Sequence, residues 1–391
     1  MRFHRSAAFG PLTLSLLSLL SLLSLLSGEA IAAPTAEAFS RIAESALRPV
    51  VQQFDLPGMA VAVTVDGQRY FYNEGVASRD TRRPIDAHTL FEVGSVSKTY
   101  TATLAAYAHV TGRLSWGAAA SHYLPALRGS AFDHVSVLDL ATHASGLQLQ
   151  APEAIKDNRQ LMAYYRNWQP RYRAGTRRTY SNLGTGMLGM IAAERLGAPF
   201  ETLLVERLFP ALGLQHTYLR VPQQQMSHYA QGYTRDDQPV RVTPGVLDNE
   251  AYGIKTTSSD LLHYLEANLH TLPIDPQWQQ ALTATRTGYL KANDTVQALM
   301  WETYPYPVTL ATLVQGNSNT MIEENLAISR LTPAQQPKPA TWVNKTGSTT
   351  GFAAYVAFVP EKKLGIVVLA NKWYPNEARV RVAYDIVNRM Q

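Results

Sequence analysis

Three short motifs lie far apart along this chain of 391 residues, and any fold it adopts has to account for their order: Ser95-Val96-Ser97-Lys98, Tyr180-Ser181-Asn182 and Lys345-Thr346-Gly347. Together they hold the residue types of a serine acyl-transfer site: a hydroxyl nucleophile, two amines and a phenol. To work as one site they require a segment in the first third of the chain to meet one in the last. Singly they are weak, since roughly one S-x-x-K and about one Y-x-N arise by chance in such a length, while K-T-G arises in roughly a few chains per hundred.

Each motif has a local reading. Gly94 permits a turn, and the residues from there to Ala108 read as a helix with Ser95 at its N-terminus. Positions i and i+3 share a helix face, so the Lys98 amine reaches the Ser95 hydroxyl, while the first amides and the helix dipole favour negative charge there. A plain capping role for Ser95 is the alternative; a capping box, however, places Glu or Gln three residues on, and a lysine in the first turn opposes the dipole. Tyr180 and Asn182 also fit a loop that feeds a helix over residues 187–194 with Asn182 as its cap. Lys345-Thr346-Gly347-Ser348 ends a β-prone run, where glycine allows close backbone approach to a ligand and Lys and Thr present charge and hydroxyl beside it. The alternative there is a solvated lysine on a sheet edge.

Arg2, His4 and Arg5 precede an apolar, Ser-punctuated run over residues 12–26 that leads to Ala30-Ile31-Ala32. This is the pattern of a secretory signal peptide, residues 1–32, cleaved after Ala32. The run falls short of the roughly 20 apolar residues a spanning helix needs, so no stable membrane anchor is expected. The chain has no cysteine, hence neither a lipid-anchor thiol nor a disulfide, and an exported product must be held by its core alone. Lys and Arg are scattered behind the net charge of +5, with no basic cluster among aromatics, which excludes a nucleic-acid partner and suits an anionic small substrate.

Phe39, Ile42, Ala46, Leu47 and Val50 recur at helical spacing over residues 34–52. Residues 58–65 and 68–73 are β-prone runs joined by Asp66-Gly67, a dipeptide that supplies the positive φ angles of a tight hairpin. Residues 100–204 are rich in Ala, Leu and Met at helical spacing. Runs at 341–348, 352–359 and 364–371 predict an antiparallel meander, and residues 376–390 a closing helix with Val380, Ala383, Tyr384 and Val387 on one face. The fold class expected is α/β of the α+β type: an antiparallel β-sheet flanked by N- and C-terminal helices. One lobe takes residues 33–108 and 205–391, a mostly helical lobe takes 109–204, and the site lies in the cleft between them.

The text around the motifs closely resembles the class C, or AmpC-type, serine β-lactamases over essentially all of residues 33–391. Phe91-Glu92-Val93-Gly94-Ser95-Val96-Ser97-Lys98-Thr99 is similar to that family's nucleophile segment, and Tyr180-Ser181-Asn182 fills the second-motif slot in the Y-[AS]-N form, where class A enzymes have S-D-N. Glu250-Ala251-Tyr252-Gly253-Ile254-Lys255, Tyr355-Val356-Ala357-Phe358-Val359-Pro360 and Pro375-Asn376-Glu377-Ala378-Arg379-Val380 resemble it as well. The resemblance implies a β-lactamase/transpeptidase-like fold and hydrolysis of cephalosporins and penicillins through a serine acyl-enzyme. It implies a periplasmic monomer with β-lactam antibiotics as partners and with no cofactor and no metal.

Residue by residue, the resemblance implies Ser95 as nucleophile and Lys98 as its partner, with Tyr180 as a proton relay acidified by Lys98 and Lys345. Which of Tyr180 and Lys98 is the base stays open. The oxyanion falls to the backbone amides of Ser95 and Ser348. Gln150 and Asn182 match positions facing the acylamino side chain, Lys345, Thr346 and Asn376 those facing the carboxylate, and Tyr252 the opposite wall, with Gly347 also in the substrate-binding set. Arg379 matches a basic residue near the carboxylate end, with an exposed helix charge as its alternative reading. A penicillin-binding D,D-carboxypeptidase, or a D-aminopeptidase or esterase of the same superfamily, is the alternative function; such esterases often replace K-T-G, which this chain keeps. Three departures stand out: Thr350 where the family usually has Gly, Trp373 where many members have Asn or a small polar residue, and His143-Ala144-Ser145-Gly146 ahead of Gln150.

Overall fold

Thr35 opens the first helix, α1 (Ala36–Phe54), by accepting a hydrogen bond from the Ala38 amide, and Asp55 closes it in the left-handed conformation. The computed structural model describes residues 34–390 and, ahead of them, residues 1, 3 and 4. The apolar run and cleavage point of the expected signal peptide lie outside the described residues. Strands β1 (Gly58–Val65) and β2 (Gln68–Gly75) follow as a hairpin. Asp66 and Gly67 turn it with φ of 49° and 84°, which matches the right-handed twist of the flanking strands.

The last third of the chain adds β3 (Gly288–Ala292), β4 (Thr295–Gln297), β5 (Glu302–Pro305), β6 (Ser329–Gln335), β7 (Thr341–Ser348), β8 (Ala353–Val359) and β9 (Leu364–Ala370). They join the first hairpin in one nine-stranded sheet of order β6-β3-β4-β5-β7-β8-β9-β1-β2. Every neighbouring pair is antiparallel, and β7-β8-β9 is the expected meander. The first strand therefore lies beside the last, Met59 opposite Ala370 through Val65 opposite Leu364.

Side chains alternate between the two faces of a strand, so each central strand feeds two cores. Val61, Val63, Tyr355, Ala357, Ile366 and Val368 face α1 and the closing helix, residues 376–389, whose Val380, Ala383 and Val387 cover them. Ala60, Ala62, Val356, Phe358, Val367 and Leu369 face the opposite way, into the larger core. Burial on both faces explains why β8 and β9 read as unbroken apolar runs. With roughly 1.5–3 kcal/mol for each fully buried large aliphatic side chain, two such layers hold the chain without a disulfide.

The larger core is helical. It contains α2 (Ser97–Val110), α3 (Asn182–Leu196), α4 (Ser258–Asn268) and α5 (Pro276–Thr285), with α6 (Asn376–Arg389) left to the other face of the sheet. Helix α2 is buried on nearly all sides, packing against α3 and α5, while α4 lies across β1 and β9. A helix walled in all round has no solvent face to mark it in the sequence, and its polar residues Ser97, Lys98, Thr99 and Thr101 are buried with the rest. That puts the first motif at the centre of the molecule.

Candidate active site

Gly94, at φ +49°, starts a short 3-10 turn over Gly94–Val96 that runs into α2. Ser95 is not a cap: no side chain caps either element. Its Oγ instead accepts a hydrogen bond from Lys98 Nζ at 2.9 Å, and the same amine donates to the Ala251 carbonyl at 2.8 Å. Burial, assisted by repulsion from Lys345, pushes the Lys98 ammonium down to about 8, against the opposing pull of Tyr180 and Glu302. A lysine near 8 holds a useful fraction of free amine at neutral pH.

Lys345 lies on β7 between β5 and β8, and only 2% of it is exposed, so the solvated-edge reading is overturned. Its Nζ donates to the Thr346 carbonyl at 3.0 Å and sits 3.8 Å from Glu302 Oε1. Glu302 also pairs with Arg178 at 3.2 Å, and Arg178 is fixed in turn by Gln297 at 2.8 Å and by the Met321 carbonyl. Tyr180 lies among these charges, with Lys98 Nζ and Lys345 Nζ 5.1 and 5.2 Å from its ring centre. Burial opposes its ionisation, but the two amines outweigh it and hold the phenol below its ordinary value, with a smaller contribution from the Ser95 hydroxyl. Ser181, not Asn182, caps the following helix by accepting from the Gly184 amide at 2.8 Å, which leaves the Asn182 side chain, in the first turn, free to face the cleft.

The end of β7 touches the Ser95 turn backbone to backbone. A Cβ on Gly347 would lie 2.0 Å from the Val93 carbonyl oxygen, and one on Gly94 would lie 2.4 Å from the Ser348 nitrogen. Only glycine at both positions lets the amides of residues 95 and 348 come this close. Gly347→Ala is therefore expected to cost about 1–3 kcal/mol in stability and about 10²-fold in kcat/KM as one amide retreats. Chemical denaturation beside steady-state kinetics checks both, and parent values in each would contradict the close-approach account.

Ser95, Gln150, Tyr180, Asn182, Tyr252, Thr346, Gly347, Ser348 and Asn376 line one cleft of about 430 Å³, joined by Val242, Ile322, Thr350 and Trp373. A family model described as Beta-lactamase matches residues 43–390. A beta-lactamase of Pseudomonas fluorescens is 50% identical over 351 residues, spanning 90% of this chain and 98% of its own. A crystal structure of a class C beta-lactamase in complex with cefoxitin is 52% identical, with a TM-score of 0.88, over 90% of this chain and 99% of that one. The chain belongs to the class C β-lactamases. A Pseudomonas syringae protein described as a beta-lactamase/D-alanine carboxypeptidase is also similar, at 46% identity and a TM-score of 0.88, over 90% of this chain and 99% of its own.

This class C β-lactamase is a serine hydrolase of the β-lactam ring, and its antiparallel sheet with flanking helices is the expected fold. Three anticipated site residues, Lys98, Lys345 and Arg379, are buried and do not line the cleft, though Lys98 meets it through Ser95 and both lysines flank the Tyr180 ring. Arg379 is wholly buried, neither a surface charge nor a lining residue. Its guanidinium donates to the Gly347 carbonyl at 2.8 Å, to Ser348 Oγ at 2.9 Å and to the Tyr374 carbonyl, so it holds the end of β7 from behind. Reasoning from the sequence missed Glu302 and Arg178, and placed Asn317 only within a segment, residues 317–325, expected to border the cleft. Asn317 exchanges side-chain hydrogen bonds with Asn344, and its carbonyl accepts from Asn376 at 3.2 Å, tying the residue before Lys345 to the cleft wall. A lone carboxylate in the apolar run Trp301-Glu302-Thr303-Tyr304 is the signal that marks Glu302.

Proposed function

We propose that the class C enzyme acylates through Ser95, with Lys98 and Tyr180 as one coupled proton relay. The relay takes the Ser95 proton as Oγ attacks the β-lactam carbonyl carbon, and the resulting oxyanion is bound by the amides of Ser95 and Ser348. Collapse breaks the ring C–N bond, and the relay returns the proton to the departing nitrogen. Water then attacks the ester and gives its proton to the same relay; collapse breaks the bond to Ser95 Oγ, the relay passes that proton to Oγ, and the opened acid leaves with Ser95 and the relay both restored. Lys345, Thr346, Gly347 and Asn376 receive the carboxylate of the substrate, Gln150 and Asn182 its acylamino side chain, and Tyr252 forms the opposing wall. Arg379 acts at one remove, by fixing Ser348.

The observation that carries this reading is the 2.9 Å bond from a buried amine to Ser95 Oγ beside a phenol flanked by two cations. The test is hydrolysis of a chromogenic cephalosporin and a penicillin by the purified protein, beside release of D-alanine from a peptide ending in D-alanyl-D-alanine. β-Lactam turnover far above peptide turnover is the expected result. Peptide turnover with a persistent β-lactam adduct would favour the carboxypeptidase reading, which the Pseudomonas syringae relative brings into view.

Substrate preference follows from Trp373. Its ring lines the cleft beside Thr350 and Asn376, and the Arg235 guanidinium stacks on it 3.5 Å from the ring centre. A stacked cation stiffens the indole by about 1 kcal/mol. Trp373→Asn is expected to shift KM for cephalosporins about fivefold, downward for those with a bulky group beside the carboxylate, and to change kcat less. A change confined to kcat would rule out a wall role.

Export to the periplasm follows from the N-terminal text, and among the described residues no helix is long and apolar enough to cross a membrane. Action as a monomer is supported by the surface: from residue 34 onward the exposed large apolar side chains are Phe71 and Val205.

A further inference from the structure

His143 is one of the departures that the reaction described above does not use. It follows the short helix Val137–Ala141 and stands at φ +58°, a left-handed conformation that Asn, Asp and His tolerate better than other side chains. Three contacts converge from it on one neighbour. Its carbonyl accepts from the Thr179 amide at 2.7 Å, its Nδ1 accepts from the Ser181 amide at 3.3 Å, and its ring lies 4.3 Å from the Tyr180 ring, tilted by 37°. The residues immediately before and after Tyr180 are thus both bonded to the side chain or backbone of His143.

We propose that His143 is a positioning residue for the β-lactamase reaction: a neutral imidazole that brackets Tyr180 from both flanking amides and one ring face, and so sets the distance of the phenol from Lys98 and Lys345. This rests on the relay role proposed for Tyr180. The side-chain chemistry is selective. A bare Nδ1 accepts the Ser181 amide, which puts the proton on Nε2, a buried atom with no partner. An imidazolium would have no acceptor to offer, and a carboxylate in this place would oppose ionisation of the phenol. Burial first, then Arg178, Lys98 and Lys345, hold the imidazole well below its ordinary value, so it stays uncharged across the working range. The charged groups around the pair are Lys98 on α2, Lys345 on β7, Glu302 on β5 and Arg178.

The sign of the effect follows. If Tyr180 drifts from its two cations, the ionised pair loses stabilisation and the first deprotonation of the relay moves to higher pH. The experiment measures kcat/KM against pH on a chromogenic cephalosporin for the parent, H143A, H143N and Y180F, with thermal unfolding of each. H143A is expected to lose about tenfold in kcat/KM, with its ascending limb displaced to higher pH. H143N keeps an acceptor and tolerates the left-handed backbone but lacks the ring face; its expected limb shift has the same sign and is smaller, and its rate lies between the two. A parent-like limb in every variant that folds overturns the proposal, whatever happens to thermal stability, because loss of packing alone does not move a titration. H143N supplies that reading should H143A not fold. Y180F separates the two claims: parent-like rates in Y180F would remove the relay role itself, whereas a crippled Y180F beside an unshifted H143 series would remove only the role of His143.

Discussion

Ser95→Ala is expected to lower kcat for every β-lactam by at least about 10⁴-fold while leaving the protein folded and able to bind substrate. The loss is confined to one atom. Ser95 Oγ caps nothing; it accepts from Lys98, which keeps the Ala251 carbonyl as a second partner, and has a lesser interaction with the Tyr180 phenol. The backbone amides of residues 95 and 348 remain, as do Asn182, Thr346 and Asn376 on the cleft wall. The variant should therefore retain substrate affinity and show a thermal midpoint close to that of the parent. Hydrolysis within tenfold of the parent rate would mean that another group attacks the ring.

Tyr180→Phe carries the second largest effect and addresses the identity of the base. The phenol is buried, lies over two amines and is held below its ordinary value by them. Removing its oxygen takes one partner out of the relay, and kcat/KM should fall about 10²–10³-fold. The pH dependence then becomes diagnostic. Tyr180 is the first of the influences that raise Lys98, so without an anionic phenolate the amine should titrate below its present value of about 8. In the parent, however, the first proton leaves the coupled pair more readily than it leaves Lys98 alone, so the residual rate of the variant should rise at higher pH than that of the parent, the direction also expected for a drifting phenol. A variant with the parent limb and near-parent rate would place the whole of the base function on Lys98.

Much of the framework was legible in the sequence because it depends on local signals. Asp66-Gly67 forces the first hairpin, and the three runs from residue 341 onward fall within a residue of β7, β8 and β9. The three-residue spacing of Ser95 and Lys98 foretold their contact, and a 3-10 turn before α2 preserves it. What stayed hidden depends on partners remote in sequence. Arg379 reads as a surface charge on an amphipathic helix until its acceptors are known to be the carbonyls of Gly347 and Tyr374. Arg178, Glu302 and Lys345 form one buried array, although Glu302 lies far from either cation in the chain. Strands β3 to β6, at one end of the sheet, are short or exposed, with little alternation to identify them. Gln150 and Tyr252 sit outside regular strands, so only the resemblance pointed to them.

The central claim is that Ser95 becomes covalently acylated and then released. Its most direct test is to mix the purified protein with a cephalosporin, quench in acid at successive times, and map the modified peptide by mass spectrometry. The account predicts a transient mass increase on the peptide holding Ser95-Val96-Ser97-Lys98, gone when substrate is exhausted and absent in Ser95→Ala. Turnover without any such adduct, or an adduct on another residue, would contradict it.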